Sequence, residues 1–142
     1  MSLITNKNAF RNYEILDTYE AGMVLSGTEV KSISHSQASI NEAYITYSKG
    51  ELFVINMHVS PFEEGNQFNV DPYRTRKLLL HKKEIQKLVF QSQKAGLTMI
   101  PTKVYWNHQK IKIEIALARG KKLFDKREDM KKRDLSREIN KY

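Results

Sequence analysis

Apolar and polar residues alternate most regularly near the end of the chain, where Ile111, Ile113, Ile115 and Leu117 are interleaved with Lys112, Glu114 and Ala116. Period two is the mark of a strand with one face on a core and one toward water. Residues 97–106 precede it as a second strand, and Asn107-His108-Gln109-Lys110 joins the two as a hairpin. Pro101 assigns the earlier strand to a sheet edge or a bulge, because proline cannot donate to a ladder. Residues 43–47 and 51–58 predict another hairpin around the three-residue connection Ser48-Lys49-Gly50, and Leu52-Phe53-Val54-Ile55 is apolar on both faces, as a central strand is. Extended runs are also expected over 13–25, with a bulge at Gly22, and over 77–80. The period changes over 82–95, where Ile85, Leu88, Val89 and Ser92 fall at i, i+3, i+4 and i+7 and Gly96 supplies the stop, which predicts a helix. A short helix ending near Ser34 follows a cap at Ser26 or Thr28. Residues 60–75, holding Pro61, Gly65, Pro72 and the pair Glu63-Glu64, read as a long surface loop.

The sum is a mainly β fold of six or so antiparallel strands with peripheral helices. An OB-like barrel closes such strands without exposed edges, while a β-sandwich and an open α+β sheet share the pattern.

Charge divides the chain more sharply than hydropathy does. Of a net +8 over 142 residues, the last 24 carry +5, from ten Lys/Arg against five Asp/Glu. Only Leu123, Phe124, Met130, Leu135 and Ile139 among them suit a core. The organisation expected is one domain over 1–118 and a basic C-terminal tail over 119–142. A polyanion is the partner such a balance favours, since Lys/Arg on phosphates releases condensed counterions.

Catalytic chemistry is hard to find. Cysteine is absent, and His35, His58, His81 and His108 stand without i, i+4 pairing or nearby ligand-spaced carboxylates, so neither a metal nor a cofactor is expected. Glu63 and Glu64, as loop neighbours, point apart instead of flanking one bond. No serine has a nucleophile-elbow setting and no glycine-rich phosphate loop occurs, so the reading is not an enzyme. No segment has the length and hydropathy of a membrane span or secretory leader, so a cytoplasmic, monomeric protein is expected. The positive signal is Tyr73-Arg74-Thr75-Arg76-Lys77 running into Leu78-Leu79-Leu80-His81-Lys82-Lys83. Strand alternation turns Leu79 away from Leu78 and Leu80, which makes it a contact candidate among cations.

Taken together, Asn6-Lys7, Tyr19-Glu20-Ala21-Gly22, Gly27-Thr28-Glu29-Val30-Lys31-Ser32, Asp71-Pro72, Arg74 with Arg76-Lys77-Leu78-Leu79-Leu80, Glu84-Ile85 and Gly120-Lys121-Lys122 with Asp125-Lys126-Arg127 make the chain resemble the SsrA-binding protein family. The resemblance covers nearly the whole chain. Asn8 stands where that family usually has a basic residue, and His81 where Asn is frequent. It implies an OB-like barrel that binds the tRNA-like domain of transfer-messenger RNA. By match of motif, Asn6, Glu20, Leu79 and His81 are implied RNA contacts, with Lys7, Lys31, Arg74, Arg76 and Lys77 as phosphate contacts. Folded RNA is read through shape, splayed bases and backbone, so a leucine wedge, a carboxylate and a ring of cations suit it.

The resemblance further implies delivery to stalled ribosomes with elongation factor Tu, tagging of the nascent peptide, and a tail that enters the empty messenger channel near the decoding centre, against small-subunit ribosomal RNA. Gly120 as hinge, with Lys121, Lys122, Asp125, Lys126, Arg127, Lys131, Lys132 and Arg133, is the segment so implied. Glu128 with Lys132 and Asp129 with Arg133 are i, i+4 pairs, each adding only about 0.2–0.5 kcal/mol, which predicts a tail disordered when free and helical when bound. A structural ribosomal protein with a barrel and a basic arm is the alternative.

Overall fold

Why the alternating segments close on one another is clear from their ladders. The computed structural model describes residues 2–61 and 70–120. The longest pair is β2 (Tyr13–Met23) against β9 (Lys110–Gly120), antiparallel from Tyr13 opposite Gly120 to Gly22 opposite Lys112. β8 (Thr98–Asn107) flanks β9, and β1 (Ser2–Thr5) flanks β8. On the other side of β2 come β7 (Arg76–Leu79), β5 (Glu51–Ile55) and β4 (Tyr44–Ser48), so the sheet has seven strands in the order β1-β8-β9-β2-β7-β5-β4. β4 returns to lie against β8, which curls the sheet around its core. A two-stranded ribbon, β3 (Ala38–Ser39) with β6 (His58–Val59), stands apart.

The antiparallel, strand-rich class matches expectation. The strand count is larger, because β1, β3 and β6 are two to four residues long and carry no readable alternation. Residues 51–58 split into β5 and β6 at Asn56, whose φ of 64° breaks the strand. Both hairpin turns are tighter than expected: Lys49-Gly50 and His108-Gln109 alone turn the chain, with φ of 51° and 84°, and of 52° and 64°. Positive φ at both central residues is what a two-residue turn needs to match the twist of its strands. Pro101 pairs with Ile115 of β9, while β1 on the other side of β8 pairs only as far as Lys103, and the register shifts between Pro101 and Lys103. The proline thus stands at a bulge, on a stretch of β8 beyond the end of the β1 ladder, as a residue with no N–H to donate requires.

β9 also runs to Gly120, so the domain boundary expected after residue 118 falls within a paired strand. Lys121 to Tyr142, with the tail residues Lys121, Lys122, Asp125, Lys126, Arg127, Lys131, Lys132 and Arg133, lie outside the described residues, as do Glu63 and Glu64.

Inside the curl sit Ile33, Ile40, Leu52, Val54, Met57, Leu78, Leu88, Ile113 and Ile115, all at 2 % exposure or less. Ile111, Ile113, Ile115 and Leu117 face inward as alternation requires, but Ala116 is buried too. The cause is α1 (Ala9–Asn12), which places Ala9 in a second cluster with Ile100, Ala116 and Ala118 and covers the outer face of β9 there. Helix α2 (Gly27–Ser34) starts in a capping box: the Glu29 N–H donates to Ser26 Oγ and the Ser26 N–H to Glu29 Oε1. Helix α3 (Lys82–Ala95) buries Ile85 and Leu88 and stops at Gly96, whose φ of 64° makes a left-handed cap.

Candidate nucleic-acid interface

The outer face of the sheet is built by register. Tyr105 of β8 stands opposite Lys112 of β9, Lys112 opposite Gly22 of β2, and Gly22 opposite Leu79 of β7, so these four form one row across four strands. One pleat further along, Lys103, Glu114 and Glu20 form a parallel row. Gly22 keeps the first row low: a Cβ there would meet Leu79 Cβ at 3.4 Å, so side chains rise on either side of a bare strip of backbone. The result is a groove of about 500 Å³ lined by Glu20, Gly22, Leu79, His81, Glu84 and Lys112.

Glu20 is the most constrained group in it. Oε2 accepts from Tyr105 Oη at 2.7 Å and from Asn107 Nδ2 at 2.9 Å, while Oε1 has no hydrogen-bond partner among the described residues. The Tyr105 and Asn107 donors hold the carboxyl below its ordinary value, with Lys112 and His108 adding to this. Tyr105 is raised in turn, by burial first and then by the carboxylate it serves. Glu20 and Glu114 face each other directly across the ladder, an unfavourable pairing unless each is compensated. Glu114 has its own partners in Thr102 Oγ1 and, at 3.9 Å, Lys103 Nζ. Glu20 therefore presents one fixed, ionised oxygen to whatever enters the groove.

Leu79 is 51 % exposed while Leu78 beside it is fully buried, as strand alternation predicts. His81, exposed at the N-terminal cap of α3, has its N–H on Glu84 Oε1 at 3.3 Å. Glu20, Leu79 and His81 thus converge on one groove from three elements. Lys77 shares the outward face of β7 with Leu79 and lies 3.8 Å from Glu51. Lys31, on α2, and Lys7 are exposed and lie outside the groove.

Two expected contacts take structural positions instead. Arg76 has no exposed surface: its Nε donates to Glu29 Oε2 at 2.7 Å, and its remaining nitrogens donate to the carbonyls of Met57, Arg74 and Pro72. A guanidinium so enclosed cannot meet a phosphate, and its role is to tie β7 to α2 and the 71–74 turn. Asn6 is 6 % exposed, its Nδ2 donating to Pro101 O at 2.8 Å and its Oδ1 accepting from the Asn8 N–H at 3.0 Å. It satisfies the backbone that the Pro101 bulge leaves open. Arg74, partly exposed, also spends its guanidinium internally, on Glu29 at 2.6 Å and on Val24 O at 3.0 Å. Glu29 consequently sits below the ordinary carboxylate value: burial opposes this, and hydrogen bonds from Arg74 and Ser26 with the charge of Arg76 outweigh it.

Sequence reasoning overlooked Gly22, Tyr105, Asn107 and Lys112 as site residues. Lys112 was legible, since alternation between Ile111 and Ile113 turns it outward. Among the described residues there is no cluster of three metal-capable side chains and no helix long and apolar enough to cross a membrane.

Fold and groove together define a curled antiparallel β protein with an open, polar groove on the outer face of its sheet. The family model described as "SmpB protein" matches residues 3–142. An SsrA-binding protein of Ureaplasma parvum serovar 3 is 60% identical over 136 residues, covering 96% of each chain. That of Malacoplasma penetrans is 51% identical, over 99% of this chain and 96% of its own. A solved structure described as "tmRNA-SmpB: a journey to the center of the bacterial ribosome" contains a chain that superposes with a TM-score of 0.71 at 44% identity, covering 84% of this chain and 85% of that one. The chain belongs to the SsrA-binding protein family.

Proposed function

We propose that this chain binds the tRNA-like domain of transfer-messenger RNA through the groove between β2, β7 and α3 and carries it to stalled ribosomes for trans-translation. The observation that supports this most is the convergence of Glu20, Leu79 and His81 on one open groove beside Lys112. Glu20 Oε1 accepts from the edge of an unstacked base, Leu79 packs on its face, and Lys112, Lys77, Lys7 and Lys31 meet phosphates around it. A carboxylate at a polyanion surface lowers affinity unless it accepts hydrogen bonds, so Glu20 contributes recognition.

In this reading the chain acts as a monomer in the cytoplasm, delivery involves elongation factor Tu, and the segment beyond Gly120 enters the messenger channel near the decoding centre, where bound messenger RNA excludes it. The relatives are named for binding SsrA, and the superposed structure for the bacterial ribosome. Sequencing the RNA that co-purifies with the chain tests the first part: transfer-messenger RNA is expected in excess, and ribosomal RNA in stoichiometric amount contradicts the reading. Ending the chain after Gly120, so that the β2–β9 ladder stays whole, is expected to leave RNA affinity nearly unchanged and abolish tagging on stalled ribosomes.

A further inference from the structure

Beside the Glu20 groove lies a second opening of about 350 Å³ at the mouth of the curled sheet, and the two share Gly22, Leu79 and Lys112. Its walls are Met23 and Ile111, which belong to the core, the half-buried Leu25 and Val30, and the exposed Trp106. Trp106 is 41 % exposed although it stands opposite the buried Ile111 in the ladder. An aromatic ring of that size half out of a core is informative, because a core position would have drawn it in. The indole N–H has no hydrogen-bond partner among the described residues. At the rim, Lys110 and Lys112 have no ion-pair partner among them either, and Gln109 offers an amide from the turn. An aromatic platform, cations at its edge and one amide form the chemistry that holds an unstacked base: stacking, phosphate neutralisation and an edge hydrogen bond.

Size limits the occupant. Ligand pockets commonly run from about 300 to 1,000 Å³, and this mouth lies at the small end, with room for one nucleotide and not for a duplex or a peptide helix. Leu79 forms the shared wall, so a strand laid in the Glu20 groove passes over it directly into the mouth.

We infer that the barrel mouth is a second nucleotide subsite, in which one unstacked base of the bound RNA stacks on Trp106 next to the base held at Glu20 and Leu79. This rests on the reading of the neighbouring groove as the RNA site. Leu79 then separates two splayed bases, one read by an acceptor and the other taken by stacking, which is sequence-tolerant.

Trp106 is the chain's single tryptophan, so its emission reports this subsite alone. The full chain is titrated with a transcript of the tRNA-like domain of transfer-messenger RNA, with anisotropy of labelled RNA and Trp106 emission followed in parallel. Binding is expected to quench Trp106 and shield it from acrylamide. Trp106→Ala is expected to lose about tenfold in affinity, and Trp106→Phe, which keeps a stacking face, to lose less. RNA binding with unchanged Trp106 emission and accessibility, and with wild-type affinity in Trp106→Ala, overturns the subsite and leaves the groove reading intact. Absence of RNA binding by anisotropy overturns both.

Discussion

Tyr105 Oη donates to Glu20 Oε2 at 2.7 Å across a separation of 85 residues. With Asn107 on the same oxygen, it leaves Glu20 Oε1 without a hydrogen-bond partner among the described residues and open to the groove. Tyr105→Phe removes the donor and keeps the ring. A hydrogen bond of this kind is worth about 1 kcal/mol, so RNA affinity is expected to fall about fivefold. The melting midpoint should stay within about 3 °C, as for other solvent-facing substitutions. A lowered midpoint with affinity retained would mean that Tyr105 serves the sheet and not the carboxylate.

The same contacts set a pH dependence. Glu20 lies below the ordinary 4.5, so it is ionised above that value, and the interaction weakens only as pH falls through its lower folded-state value. The ratio of RNA affinities between the wild type and Glu20→Gln is therefore expected to be constant from about pH 5 to 8 and to shrink below. Taking the ratio cancels the histidines that do not act on Glu20, and making the comparison in a His108→Gln background removes the one that does. A change in the ratio near neutrality would show that the carboxyl is protonated there.

Glu29 holds Arg76 at 2.7 Å in the interior, and removing one member of a buried ion pair leaves the other charge uncompensated. Urea denaturation of Glu29→Ala is expected to show a loss of about 3–5 kcal/mol, and Arg76→Ala a similar one. Arg74→Ala, whose side chain is 32% exposed, should lose much less. Because the Glu29 carboxyl lies below its ordinary value, its contribution is present above that value and lost as pH falls through the folded one. An Arg76→Ala protein of wild-type stability and reduced RNA affinity would return Arg76 to the phosphate contacts.

Leu78 and Leu79 offer a test of the groove free of charge effects. Leu78 is fully buried and Leu79 is 51 % exposed. Leu78→Ala is expected to lower stability by about 2–5 kcal/mol. Leu79→Ala should leave stability within about 0.5 kcal/mol and weaken RNA binding about tenfold. Equal destabilisation by both would make Leu79 a packing residue.

Those two leucines also show what the sequence made legible. Period two in β7 fixed which of them faces out, and the same logic holds through β9 as far as Ile115. It failed at Ala116, since burial of a strand's outer face depends on what lies over it, and α1 was too short to be read. Arg74 and Arg76 are indistinguishable in sequence, two cations of one basic run; only the three-dimensional position of Glu29 separates a half-exposed side chain from an enclosed one. Asn6 went astray for a related reason, because the demand it meets comes from a bulge 95 residues away. The groove partners Tyr105 and Asn107 needed the placement of β2 against β9, which no local pattern shows; the register of β8 on β9, with Trp106 opposite Ile111, is the same for the two-residue turn as for the four-residue connection. Glu20 came from family resemblance, as nothing in its local pattern marks one acid among the exposed polar residues of β2.

Whether the groove recognises its RNA or merely attracts it is decided by one substitution. Glu20→Arg adds positive charge to a phosphate-facing surface while removing the fixed acceptor. Its affinity is to be measured at constant salt for the tRNA-like domain of transfer-messenger RNA and for an unrelated RNA of equal length. The account predicts weaker binding to the tRNA-like domain, by about tenfold, with binding to the unrelated RNA unchanged or tighter. Equal strengthening for both RNAs would contradict it and make Glu20 an ordinary surface residue.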